Sequence, residues 1–136
     1  MIDQKTESRI KKIIVDGNPE ELIKFAEELG KRFAPQNERE RNSKLSSSQI
    51  RNILDDVQRM KGSNMGEIRN QLFRLRPKLA YAAGKTKPDN SLRQLQPILD
   101  KAIELIGDSI KNFNNFKDFF EAIVGYHRYH SKVREA

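Results

Sequence analysis

Apolar residues recur every three or four positions along most of this chain, and over no useful length do they alternate. That period is the signature of one buried helix face, and its absence at period two leaves no strand to place. The stripes run in order. Ile10, Ile13 and Ile14 come first, then Leu22, Phe25, Ala26, Leu29 and Phe33. Ile50, Ile53, Leu54, Val57 and Met60 form a third, and Met65, Ile68, Leu72, Leu75, Leu79 and Ala82 a fourth. The fifth is Leu92, Leu95, Leu99, Ala102, Ile103, Ile106 and Ile110. The last is Phe116, Phe119, Phe120, Ile123, Val124 and His127. The expected fold is therefore all-α, a compact bundle of five to six helices.

Punctuation between the stripes agrees. Gly17 ends the first helix, and Asn18-Pro19-Glu20-Glu21 starts the second with a cap, a proline at the first helical position and two acids at the positive dipole end. Ser46 with Gln49 fits a capping box, and Asn64 with Glu67 looks like another cap. Gly84 and Pro88 bracket a turn, Asn90 or Ser91 can cap the next helix, and Asn114 or Asn115 starts the last. Pro77 lies inside the fourth stripe and predicts a kink or restart near 76–77, while Pro97 bends the fifth helix early.

A chain of 136 residues is most simply one domain, long enough to bury roughly two-thirds of the surface its unfolded form exposes. Within 1–136, residues 1–33 read as N-terminal helices and 46–134 as the main helical bundle. Between them, "APQNERERNSKL" at 34–45 is almost free of apolar residues and reads as a flexible linker, letting the first two helices sit somewhat apart. There is no cysteine, which excludes disulfides, thiol chemistry and cysteine zinc sites and fits a reducing, cytoplasmic location. No signal peptide and no membrane-spanning apolar run are visible.

The net charge is +7, and its placement is uneven. Residues 1–30 hold five Lys/Arg against seven Asp/Glu, a balance of −2. Residues 59–87 hold eight Lys/Arg against Glu67 alone, a balance of +7. A patch of this kind attracts a polyanion, nucleic acid or an anionic membrane, unless acids from elsewhere in the fold neutralise it. On a helix, Arg69 and Arg76 share a face with Phe73 between them, and Arg74 and Lys78 share a neighbouring one. Such strips suit a sugar-phosphate backbone, since Arg forks onto phosphate oxygens and Lys adds point charge. No groove-reading helix is recognisable, so positioning contacts without base readout are expected. A membrane-surface helix would want a wide, bulky apolar face, whereas Ala80, Ala82 and Ala83 are small.

Other constellations are weak. His127 and His130 lie three apart without a third ligand in view, and read as a core-edge residue and a partner- or solvent-facing one. Asp55 and Asp56 point about a hundred degrees apart on a helix, too far to share one ion easily. Asp100 and Glu104 share a face that reads as solvated surface. With no phosphate loop and no activated nucleophile, neither enzyme, metal nor cofactor is expected. A second stripe on the last helix, Ala122, Tyr126, Tyr129 and Val133, fits either a central position in the bundle or half-coverage by a partner, the latter being favoured.

Three stretches, in order, carry a resemblance: "LSSSQIRNILDDVQRM" at 45–60, "LFRLRPKLAYAAGK" at 72–85 and "NNFKDFFEAIVGYHRYH" at 114–130. Together they resemble the small subunit of type III-A CRISPR–Csm effector complexes. The resemblance implies a small, helical, non-enzymatic subunit of a ribonucleoprotein in antiviral defence. It implies several copies beside the guide-holding backbone subunits, contacting neighbouring copies, the large subunit, target RNA and the guide RNA–target duplex. Cleavage would belong to the other subunits. The cations it assigns to the RNA side are Arg51, Arg76, Lys78, Lys85 and Arg128; helical geometry adds Arg69, Arg74 and Lys87. Gly125, where the family commonly has alanine, and Ser131-Lys132, where it often has glycines, depart from its pattern. Some arginines could instead anchor the bundle through carboxylates such as Glu121. The competing reading is a protein–protein adaptor whose basic face docks an acidic partner without touching RNA.

Overall fold

A computed structural model describes residues 2–41 and 43–133. The domain limits drawn at residues 1, 134 and 136 fall outside them. Among the described residues six α-helices follow in order: α1 (Gln4–Ile14), α2 (Pro19–Phe33), α3 (Ser47–Gln58), α4 (Met65–Gly84), α5 (Leu92–Ile106) and α6 (Ile110–His130). A 3₁₀ turn, Glu38–Glu40, lies between α2 and α3. The fold is all-α, and the stripes legible in the sequence meet in one core, except that Ile110, read as the end of the fifth stripe, begins α6 and is exposed because Gly107 breaks the helix before it.

Most ends form as their residues dictate. The Asn18 side chain accepts from the Glu21 amide at 3.0 Å, and Asn64 accepts from Glu67 at 3.1 Å. Ser46 and Gln49 bond reciprocally, at 3.1 and 2.9 Å. Gly17, at φ +64°, ends α1 in the left-handed region that glycine enters without a steric cost. The start of α6 differs from expectation. Ser109 caps it, accepting from the Asn112 amide at 3.1 Å, so Asn114 and Asn115 lie inside the helix. Asn115 instead donates to the Ile14 carbonyl at 3.0 Å and caps the end of α1. An asparagine that caps a distant helix looks, in sequence, like one that caps its own. Helix α4 runs unbroken through Pro77, with no restart there.

Helix α6 is central, touching α1, α2, α3 and α5. This accounts for its two stripes: Ala122 and Tyr126 are partly covered, Val133 is buried, and Tyr129 stays exposed. With Ile23 of α2 and Gly125, the residues Ala122, Tyr126 and Tyr129 line an apolar groove of about 440 Å³.

Helices α1 and α2 do not stand apart. Phe25 of α2 stacks on Phe119 of α6 with ring centroids 5.8 Å apart, and Ile10, Ile13 and Ile14 of α1 are wholly buried. The 34–45 segment, expected as a flexible linker, lies against the bundle. Ala34, Pro35 and Leu45 are buried, and the Leu45 amide returns to the Phe33 carbonyl at 3.1 Å. The buried His127 ring bonds the Leu45 carbonyl at 2.6 Å, and the Lys132 amide donates to Pro35 at 2.9 Å. These ties are mostly to main-chain groups, which side-chain composition does not reveal.

Arg9 joins α1 to α2 by donating to Glu21 and Glu28 while lying 4.1 Å over the Phe25 ring. The bond from Arg9 holds the Glu28 carboxyl below the usual carboxylate range. A carboxylate whose folded pKa lies below its unfolded value stabilises fully above the unfolded value, and that stabilisation is lost as pH falls through the folded one. Glu28→Gln should therefore be less stable at neutral pH, by under about 1 kcal/mol because the pair is partly solvated. Urea titrations at decreasing pH should show the two proteins converging in acid.

Candidate nucleic-acid interface

Helix α4 is built around the side it buries: Ile68, Leu72, Leu75, Leu79 and Ala83. That face sets the direction of every cation on the helix. Arg69 and Arg76 flank it on the side of α5 and are both engaged. Arg76 forks onto Asp100, Nε to Oδ1 at 2.7 Å and Nη2 to Oδ2 at 3.0 Å. This hydrogen bonding, over the opposing effect of burial, raises the guanidinium pKa further. Arg69 donates to Asp108 at 2.8 Å and lies 5.1 Å over the Phe73 ring. Part of the basic segment is thus neutralised by acids from the next helix and the loop after it. Glu121 is exposed and accepts from Gln58 at 3.3 Å; the arginine anchors are Asp100 and Asp108.

The opposite side of α4 is different. Arg74, Lys78, Tyr81 and Lys85 are all exposed and stand at spacings of four, three and four. This spacing keeps them on one helix face, about 16 Å long at 1.5 Å per residue. Among the described residues, no carboxylate lies within ion-pair distance of Arg74, Lys78, Lys85 or Lys87. Lys87 continues the exposed charge just beyond the helix. Arg74 and Lys78 also border a cleft of about 200 Å³ against Asp56 and Met60 of the α3 side. Asp56 is itself held by Arg59 at 2.7 Å.

Arg51 and Arg128 meet elsewhere. They line a second cleft of about 260 Å³ between α3 and α6, floored by Ile50, Val124 and Gly125. Neither has a carboxylate partner among the described residues. The eight cations singled out in the sequence therefore divide three ways: an outer face of α4, the α3–α6 cleft, and two ion pairs. Tyr81 was missed. It is 69% exposed, with Lys85 Nζ 5.3 Å from its ring centre, and its place in the four-three-four series was the available signal.

Of the histidines, His127 is in the core and His130 bonds Glu27 of α2 at 3.2 Å. Among the described residues no three His, Cys, Asp or Glu side chains gather as metal ligands. No described helix is long and apolar enough to cross a membrane.

A family model, Csm2 Type III-A, matches residues 16–133, which takes in α2 to α6 and all eight cations of the candidate interface. The chain belongs to the Csm2 family. Neither a curated protein nor a solved structure matches it. Csm2 is the small subunit of the type III-A CRISPR–Csm complex, a structural family. The match begins before residue 45, so the resemblance of the later segments extends back through α2 and the 34–45 segment that follows it.

Proposed function

We propose that this Csm2 chain acts without catalysis, in several copies, as an RNA-contacting lining of its complex. Its ligand is target RNA or the guide–target duplex. The observation that carries this reading is the outer face of α4, where Arg74, Lys78 and Lys85 align in solvent without carboxylate partners among the described residues. Cations one and two turns apart on a helix face suit phosphates and make no use of base identity. That is what a complex needs when guide pairing reads the sequence. Arg51 and Arg128 add a second contact point, and weak single-copy affinity is multiplied along one strand by avidity. Arg69 and Arg76 act here as anchors of α4.

The test is fluorescence anisotropy of a labelled single-stranded RNA of about 30 nucleotides, long enough for several copies, at low and physiological salt. The variant is Arg74→Glu/Lys78→Glu. Arg76 is unsuitable, since reversing it would place an acid against Asp100 and disturb the fold. The variant should bind more than about tenfold more weakly, with the salt slope reduced by roughly 1.4 for two lost phosphate contacts. Its helical circular dichroism should be unchanged. An unaltered chain that binds no RNA even at low salt would leave the basic face to an acidic protein partner.

A further inference from the structure

We infer that Tyr81 is a stacking platform for an unpaired nucleobase, so that the α4 face prefers single-stranded RNA to duplex. The inference rests on the RNA reading above and assigns it a ligand form. Four observations carry it. Tyr81 lies on the side of α4 opposite the buried residues Leu72, Leu75 and Leu79, and is 69% exposed. Among the described residues its hydroxyl has no hydrogen-bond partner, and Lys85 Nζ lies 5.3 Å from the ring centre. Both neighbouring turns carry exposed cations, Lys78 three residues before it and Lys85 four after. A Cβ built at Gly84, three residues on, would meet nothing within 4 Å, so the adjacent turn is open as well.

The exposed rings elsewhere differ. Phe73 lies beneath Arg69, which Asp108 holds in place. Tyr129 has the edge of His130 against it at 5.0 Å. The cation beside Tyr81 is a lysine without an acidic partner, on a flexible stem that can move from ring to phosphate. An aromatic face between backbone-directed cations is the arrangement that holds single-stranded nucleic acid, because every base has a π-face and no base identity is required. In an A-form duplex the base faces are already stacked, and the deep, narrow major groove keeps side chains out. Phosphate contacts from Arg74, Lys78 and Lys85 remain possible with either form; the ring contact does not.

The experiment is anisotropy with the full chain on the same single-stranded RNA and on its blunt duplex, comparing Tyr81→Ala and Tyr81→Phe with the unaltered protein. A strand carrying 2-aminopurine reports stacking directly. Tyr81→Ala should weaken single-strand binding about tenfold, with an unchanged salt slope and unchanged duplex affinity. Tyr81→Phe should retain the affinity, since the ring and not the hydroxyl acts. Binding of the unaltered chain should alter 2-aminopurine fluorescence, and Tyr81→Ala should abolish the change. If Arg74→Glu/Lys78→Glu loses binding while Tyr81→Ala does not, or loses both forms equally, this inference is overturned and the RNA reading stands. If the unaltered chain binds neither RNA at low salt, both are overturned, and Tyr81 is left as a contact for a protein partner.

Discussion

Gly30→Ala should destabilise this protein by about 2 kcal/mol, although alanine is the better helix former. Gly30 lies within α2, where exchange for alanine normally gains up to about 1 kcal/mol. Here the added Cβ would sit 2.7 Å from the His127 amide nitrogen and from Tyr126 Cβ, and 2.8 Å from the Tyr126 carbonyl carbon. Two of those three atoms are backbone, so no rotamer change makes room; α2 and α6 must move apart. Overpacking of this kind costs typically about 1–3 kcal/mol and outweighs the propensity gain. Gly125→Ala is the matched control on α6. Its Cβ would meet nothing within 4 Å, so the same exchange should stabilise by about 0.5–1 kcal/mol. Urea denaturation followed by circular dichroism reads both. Equal shifts of the two variants would mean that α2 and α6 are not in close contact.

Phe119→Ala should cost about 3–5 kcal/mol, the range for emptying a fully buried phenylalanine site. Phe119 is inaccessible to solvent and stacks on Phe25. It faces the helices that the sequence reading set apart. If α1 and α2 belong to the same cooperative core, the loss should appear as one transition in which signals from residues 4–33 and from α4–α6 disappear together. Hydrogen exchange resolved by segment would show this. An early, separate loss of α1 and α2 in the unaltered protein would instead describe two units joined by residues 34–45.

In the 34–45 segment and among the cations, long-range partners decide what local composition does not. "APQNERERNSKL" contains one leucine and many charges, so nothing in its composition distinguishes a solvated linker from a segment fastened by its own carbonyls. Leu45 and the main chain of Phe33, Pro35 and Leu45 do the fastening, with His127 arriving from 82 residues away. The caps of α2, α3 and α4 were legible because both partners lie within three residues. The start of α6 was not, because Asn115 serves a carbonyl 101 residues distant.

The sequence by itself determined the helical class, most of the buried faces, the basic segment and the family. Each depends on spacings of three, four or seven residues or on contiguous motifs, and helix geometry converts these directly into faces. Only the tertiary structure decided which cations are occupied. Arg76 meets an acid 24 residues on and Arg69 one 39 residues on, and no local rule brings those partners together. On α4 itself the cations left in solvent are Arg74, Lys78 and Lys85, beside Tyr81 on the face that the helix turns away from its core.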